Sequence, residues 1–167
     1  DKIINSFAPA IFGYNDIKLS ILLQLAGGVK TQKRGDINLF LIGDPSMAKS
    51  ELLKFASKLV TKSIYTSGRG SSAAGLTIGI VKMGDGRSIA QAGVLPMCDG
   101  GLACIDEFDK MGEQDRSAMH EAMEQQTVSI AKAGIAMTLP SRTSVLAAAN
   151  PKWGMYDSDN SLRDNIN

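Results

Sequence analysis

The sequence has few aromatic residues, one histidine and two cysteines, and each scarcity excludes a class of protein. Aromatic residues make up 5% of the 167 residues. With one histidine, His120, no zinc-ligand set of standard spacing can be assembled, and we interpret His120 as a structural or surface residue rather than a catalytic one. Cys98 and Cys104 can pair on number alone, but the apolar run around Cys104 favours reduced, buried thiols. The cysteine usage therefore indicates an intracellular protein.

Excess charge and long apolar runs are also missing. Eighteen Lys and Arg side chains against seventeen Asp and Glu give a formal net charge of +1, and 44% of the residues are hydrophobic. This composition excludes a disordered tail and a uniformly basic protein, so any contact with nucleic acid must come from a local cluster. No apolar run approaches the roughly 18 residues of a membrane span, and no signal peptide is visible. We expect one domain and no membrane partner.

Short apolar runs alternate with helical patterns along the chain. Runs bounded by turn residues predict four buried parallel strands, at residues 37–42, 63–67, 101–105 and 144–148. Helical spacing predicts three helices, at residues 15–26, 49–62 and 111–125, and either Asn15 or Asp16 is expected to cap the first. Strands that alternate with helices indicate an α/β fold with a parallel sheet covered on both faces.

Turn residues divide the remaining segments. The polar stretch at residues 30–36 predicts a loop, and the stretch at 68–75 predicts a loop rich in glycine and serine. Weakly alternating segments around turn signals predict two β-hairpins, at residues 76–95 and 127–139, the second with its turn at 131–134. The hairpins are therefore insertions into the α/β plan.

A phosphate-loop motif follows the first predicted strand. Residues 43–50 match the pattern G-x-x-x-x-G-K-[ST] except at Ala48, where we expect alanine to be tolerated if its backbone keeps a negative φ. In such a loop Lys49 reaches the β- and γ-phosphate oxygens and Ser50 holds Mg²⁺. The alternative is a glycine turn that caps a helix, with Lys49 in solvent. The nucleotide-binding candidates are Gly43, Asp44, Pro45, Ser46, Met47, Ala48, Lys49 and Ser50.

Two other strand ends carry polar side chains. Because neighbouring side chains of an extended chain point to opposite sides, we expect Asp106 to orient Mg²⁺ through water and Glu107 to polarise the attacking water. A helix N-terminus with acidic residues is the alternative. Asn150 is a candidate for contact with the γ-phosphate or the attacking water, although Asn-Pro also starts ordinary turns. Since ligands bind at the carboxyl ends of such strands, these residues are expected to converge with Gly43.

Several strings of residues together resemble the minichromosome maintenance (MCM) replicative helicases. They are GDPSMAKS at 43–50, TSGRGSSAAGLT at 66–77, CIDEFDKM at 104–111, HEAMEQQT at 120–127, SIAKAGI at 129–135 and AAANP at 147–151. The resemblance extends over nearly the whole chain, and alanine at position 48 is the family's own form of the loop. It implies an AAA+ P-loop NTPase core with three αβα layers. The predicted strands take the order 1-4-3-2, with strand 1 at an edge and the family's fifth strand missing.

The resemblance also implies roles for individual segments. The hairpin at 76–95 matches the family's insert in helix 2, the hairpin at 127–139 precedes sensor 1, and Asn150 stands at the sensor 1 position. Lys132, at the tip of the second hairpin, is expected to contact DNA in a ring channel without reading its sequence, whether single-stranded or duplex. A solvated turn lysine is the alternative for Lys132.

For the nucleotide, the resemblance places the adenine near Phe12, Gly13 and Tyr14, and it implies ATP and Mg²⁺ as cofactors. It implies the motor module of a hexameric DNA helicase, whose neighbouring subunits, identical or different, supply an arginine finger. We expect a longer protein, in an archaeal cytoplasm or a eukaryotic nucleus, in which the arginine finger follows Asn167. This chain alone is expected to be nearly inactive.

Two other functions stay open at this point. The first is an MCM-like ATPase module that serves assembly or regulation without translocation. The second is an AAA+ chelatase or transcription activator, which shares the phosphate loop but is not expected to carry the hairpin sequence around Lys132.

Overall fold

Helices and strands alternate along the residues that the computed structural model describes, 2–29 and 34–166. In chain order they are α1 (Lys2–Ser6), α2 (Asn15–Ala26), β1 (Leu39–Ile42), α3 (Lys49–Leu59), β2 (Ser63–Ser67), α4 (Ala73–Leu76), β3 (Ile78–Lys82), β4 (Ser88–Ala92), α5 (Val94–Met97), β5 (Leu102–Asp106), α6 (Glu113–Gln125), β6 (Thr127–Lys132), β7 (Ile135–Pro140), β8 (Ser144–Ala149) and α7 (Leu162–Asn165). Short 3₁₀ turns at Gly68–Gly70 and Phe108–Lys110 follow β2 and β5. Within these ranges, no helix is long and apolar enough to cross a membrane.

Four parallel strands form the central sheet in the order β1-β8-β5-β2. This is the predicted order, and within the described residues β1 is an edge strand. All five residues of β5 are buried, as expected for an inner strand covered on both faces. The predicted α/β fold is confirmed.

The alternation of side chains along the strands builds a core on each face of the sheet. Ala103 and Ile105 of β5 belong to one cluster, with α6 and the hairpins. Leu102 and Cys104 belong to the other, with α2 and α3. Cys98 lies in the first cluster, so the two cysteines are on opposite sides of the sheet, and both are free thiols. Burial raises the pKa of the Cys104 thiol to about 12, which makes it an unreactive core residue.

The first predicted strand is shorter than expected because side-chain hydrogen bonds replace backbone hydrogen bonds at its start. The strand begins at Leu39 instead of residue 37. Gln24 of α2 donates to the carbonyl of Ile37 at 3.1 Å, and the Asn38 side-chain oxygen accepts the N–H of Val145 at 2.9 Å. These bonds satisfy the groups that a longer strand would have paired with β8.

The predicted helices also differ at their ends. Neither Asn15 nor Asp16 caps α2, so that expectation is wrong: the N-cap is Tyr14, which is left-handed (φ 55°) and makes no side-chain cap bond. Asp16 lies inside the first turn, where its charge favours the helix dipole. α3 ends at Leu59 rather than residue 62, because the chain extends at Val60 to enter β2.

Other predicted bounds change in the same way. α6 starts at Glu113 rather than residue 111, since Met111 is extended. The loop predicted at 68–75 contains a 3₁₀ turn and the start of α4. Of the loop predicted at 30–36, residues 30–33 lie outside the described part of the chain.

Two antiparallel hairpins, β3–β4 and β6–β7, extend from the sheet. The β6–β7 turn consists of Ala133 (φ 53°) and Gly134 (φ 76°), so it is two residues long instead of the four predicted at 131–134. Two positive φ angles match the twist of antiparallel strands. Lys132 is consequently the last residue of β6, paired with Ile135.

Candidate functional site

A cavity of about 370 Å³ lies at the carboxyl ends of β1, β5 and β8. It is lined by Pro45, Ser46, Met47, Ala48, Lys49, Ser50, Asp106, Glu107, Ala149 and Asn150. The phosphate-loop motif, the two acidic residues and Asn150 therefore come together, as the strand ends predicted. The topology explains this convergence, because parallel strands end at the same edge of a sheet.

The loop between β1 and α3 contains left-handed residues. Ser46 has φ 66° and Ala48 has φ 55°, so the negative φ given as the condition for alanine at position 48 is not met. Ala48 is the N-cap of α3, and its carbonyl accepts the N–H of Leu52 at 3.0 Å. Left-handed residues in such a loop direct successive backbone N–H groups towards one concave surface, and this surface suits an anion. For a residue with a Cβ, this conformation costs about 1–2 kcal/mol.

The Lys49 ammonium lies across the loop. Its Nζ donates to the carbonyl oxygens of Gly43 at 2.6 Å and Asp44 at 2.7 Å. Desolvation lowers the pKa of Lys49, against the opposing influence of Asp106 and other carboxylates. A phosphate in the loop would offer this ammonium a charged acceptor in place of neutral carbonyls. Gly43 and Asp44 thus contact the site through Lys49, and the Asp44 carboxylate also accepts the N–H of Tyr156 at 2.5 Å.

Asp106 is a buried carboxylate with several donors. It is 9% exposed, and it accepts hydrogen bonds from the Tyr65 hydroxyl at 2.7 Å and from the Glu107 N–H at 2.9 Å. Burial acts to raise the pKa of Asp106, but the Ser50 and Tyr65 hydroxyls and the Glu107 N–H together hold it below its usual value. An ionised carboxylate beside a serine hydroxyl is an oxygen donor set that fits Mg²⁺.

Glu107 is the residue directly after β5. Its φ of 49° is left-handed, so the chain turns after Asp106, and the expectation of extended alternation at this pair is wrong. Both side chains consequently line the same cavity. The Glu107 carboxylate accepts a hydrogen bond from the Ser67 hydroxyl at 2.9 Å.

The sequence patterns did not predict three residues that contact the site, namely Tyr65, Ser67 and Gly68. Tyr65 pairs with Cys104, two residues before Asp106, so both side chains lie on one face of the sheet. A Cβ on Gly68 would lie 2.5 Å from the carbonyl oxygen of Glu107. Ser67 and Gly68 lie in the string at 66–77 that carries the family resemblance, whereas Tyr65 precedes that string and had no signal in the sequence.

Asn150 directly follows β8. Its backbone N–H donates to the Asp109 carboxylate at 3.1 Å, and the residue also lines the cavity. The Asp109 side chain is 9% exposed and lies 3.1 Å from the Lys110 ammonium. The 3₁₀ turn after β5 therefore fixes the end of β8.

The other candidates lie outside the cavity. Phe12 is 99% exposed, and Gly13 and Tyr14 lead into α2. The Tyr14 hydroxyl lies 3.9 Å from the Met47 sulfur, which brings this segment to the loop. Lys132 is exposed on its hairpin, away from the cavity. His120 is a surface residue, as predicted, with its Nε2 3.6 Å from the Glu124 carboxylate.

Comparison with known proteins supports the family resemblance inferred from the sequence. The family model described as the MCM P-loop domain matches residues 1–167. The chain is 53% identical over 174 residues to the DNA replication licensing factor MCM6 of Arabidopsis thaliana, with 100% of this chain and 21% of that relative covered. It is 51% identical over 173 residues to the minichromosome maintenance protein MCM of Saccharolobus solfataricus, with 100% and 25% covered. It is 55% identical over 172 residues to the DNA replication licensing factor mcm5 of Dictyostelium discoideum, with 99% and 22% covered.

These matches confirm the resemblance inferred from the sequence. The chain spans about a fifth to a quarter of the length of these curated relatives. The family model covers the whole chain, and the phosphate loop meets the acidic strand end in one cavity. On both grounds, the chain belongs to the MCM P-loop domain family.

Proposed function

We propose that this chain binds and hydrolyses Mg·ATP as the motor module of a hexameric replicative helicase. The observation that carries the proposal is the cavity that joins Lys49, Ser50, Asp106, Glu107 and Asn150. Its volume of about 370 Å³ lies in the range of nucleotide-sized sites. A lysine at a helix N-terminus, next to an ionised carboxylate, is suited to phosphate and metal rather than to an apolar ligand.

Each residue at the cavity has a role in this proposal. The N–H groups of residues 45–50 cradle the phosphates, and Lys49 exchanges its two carbonyl partners for phosphate oxygens. Ser50 and, through water, Asp106 would hold Mg²⁺, which would neutralise phosphate charge. Glu107 accepts a proton from the attacking water, and Asn150 orients that water or the γ-phosphate.

The adenine binds against Phe12, Gly13 and Tyr14 in this proposal. Tyr14 contacts Met47 at the phosphate loop, and the exposed Phe12 ring offers a face on which a base can stack. This contact brings the segment next to the phosphate loop, as a base attached to phosphates bound there requires.

DNA contact is assigned to Lys132 at the end of β6. One exposed cation on a chain of net charge +1 binds DNA weakly, and a ring repeats the contact around the strand. An arginine finger from a neighbouring subunit then stabilises the transition-state charge. The names of the relatives, which are DNA replication licensing factors and a minichromosome maintenance protein, support this setting.

Paired substitutions at the cavity test the proposal. In the assembled protein, Lys49→Ala should abolish Mg·ATP binding measured by titration calorimetry, and Glu107→Gln should keep binding and remove phosphate release. Lys58→Ala, which removes an exposed lysine of the same helix, is the control. Unchanged affinity in Lys49→Ala would contradict the site.

A DNA assay separates the motor from a regulatory ATPase. Lys132→Ala should lower the DNA stimulation of turnover while basal turnover stays at the wild-type level. Turnover that DNA does not stimulate in the wild type would favour an assembly or regulatory module without translocation.

A further inference from the structure

A buried lysine away from the cavity has no role in the proposed mechanism. Lys18, in the first turn of α2, is 4% exposed. Its Nζ donates hydrogen bonds to the carbonyl oxygens of Ile11 at 2.6 Å and Ala8 at 3.3 Å. Burial of an ammonium group is unfavourable unless polar partners compensate it, and the two carbonyls do so here. Lys18 therefore fixes the backbone that carries those carbonyls.

That backbone is the loop of residues 7–14 between α1 and α2. Ala8 is left-handed (φ 45°), and its carbonyl also accepts the N–H of Ile11 at 2.9 Å. The backbone N–H of Lys18 donates to the carbonyl of Tyr14 at 2.9 Å. A single residue thus bonds three carbonyls spread along the loop, and its side chain ties Ala8 and Ile11 to α2.

The 7–14 loop contains Phe12, Gly13 and Tyr14, the residues against which the adenine binds in the proposed function. Phe7 anchors one side of it, since it is 2% exposed and its ring lies 5.0 Å from that of Phe55 in α3. Tyr14 lies at the other side, 3.9 Å from the Met47 sulfur. Between these anchors, the course of the chain up to Phe12 depends on the two carbonyls that Lys18 holds.

We propose that Lys18 is a positioning residue for the adenine. Its ammonium holds the 7–14 loop in the conformation in which Phe12, Gly13 and Tyr14 meet the base. The inference rests on the proposed function, because it requires a nucleotide in the cavity. It assigns no contact between Lys18 and phosphate, so the base and the phosphates respond differently to its loss.

Lys18→Met keeps the length of the apolar stem and removes the ammonium. Titration calorimetry is done with Mg·ATP and, separately, with magnesium tripolyphosphate, which lacks the base. Because the substitution weakens the stacking of the adenine on an aromatic ring, ATP affinity should fall about tenfold. Tripolyphosphate affinity should stay at the wild-type value. Lys58→Met makes the same change at an exposed position of α3 and should match the wild type for both ligands.

Thermal melting accompanies each titration. If Lys18→Met does not fold, Lys18→Gln, which retains a donor, replaces it and should show the same selective loss to a smaller degree. Equal losses for the two ligands, or no loss for either, would overturn the positioning role. A wild-type protein that binds neither ligand would instead overturn the proposed function itself.

Discussion

Alanine at position 68 should displace Glu107 without altering the phosphate loop. The new Cβ would lie 2.5 Å from the carbonyl oxygen of Glu107, 3.1 Å from its carbonyl carbon and 3.2 Å from the Cα of Phe108. All three are backbone atoms, so no side chain can rotate away and the two segments must separate. Overpacking of this kind costs about 1–3 kcal/mol. This cost should appear as a lower Tm in thermal melting.

The displacement acts on the proposed general base. Glu107 is already left-handed, and its carboxylate accepts a hydrogen bond from Ser67, the residue before Gly68. A misplacement of about 1 Å in a reacting group can lower the rate roughly 10²-fold. We therefore expect Gly68→Ala to lower ATP turnover by about that factor, while Mg·ATP affinity stays near the wild-type value because Lys49 and Ser50 do not move.

The matched control is Gly70→Ala in the same 3₁₀ turn. No heavy atom lies within 4 Å of a Cβ placed on Gly70, and Gly70 has no positive φ. Phosphate release, titration calorimetry and thermal melting are measured on both variants in the assembled protein. If Gly68→Ala turned over ATP and melted like Gly70→Ala, the contact between Gly68 and Glu107 would not hold the glutamate in place.

Three further outcomes follow from the geometry. Ala48→Gly should raise the free energy of unfolding by about 1 kcal/mol in urea denaturation and keep ATP binding, because glycine adopts φ 55° without strain; a loss of stability would contradict this. Tyr65→Phe removes the hydroxyl that orients the Asp106 carboxylate, so Mg²⁺-dependent ATP affinity should fall roughly fivefold, while an unchanged Mg²⁺ dependence would exclude the role of the hydroxyl. The same change should raise the pKa of Asp106. The Arg142 side chain and N–H hold the pKa of Asp99 at about 2, so this pair stabilises the fold above about pH 4 and loses its effect as the pH falls towards 2. Arg142→Ala should lower the unfolding free energy much more at pH 7 than near pH 2, where Asp99 is about half protonated, and a difference that does not depend on pH would refute this.

Local sequence patterns were sufficient for the plan of the fold. The apolar run at 101–105 coincides, displaced by one residue, with β5, because burial on both faces of a parallel sheet requires such a run. β2 has the bounds expected at 63–67, but none of its residues is fully buried. The phosphate loop, the acidic pair and Asn150 could be placed at strand ends from the same patterns. Their meeting in one cavity then follows from the parallel topology.

Conformations and partners that depend on distant residues could not be predicted in this way. The left-handed backbones of Ala48 and Glu107 are imposed by a loop that closes on a helix and by a strand that must turn at its end. Tyr65 joins Asp106 only because β2 pairs with β5, and Lys18 is buried only because the 7–14 loop folds over it. Side-chain periodicity reports which face of an element is apolar, whereas these features arise from hydrogen bonds and close contacts between segments that only the tertiary structure brings together.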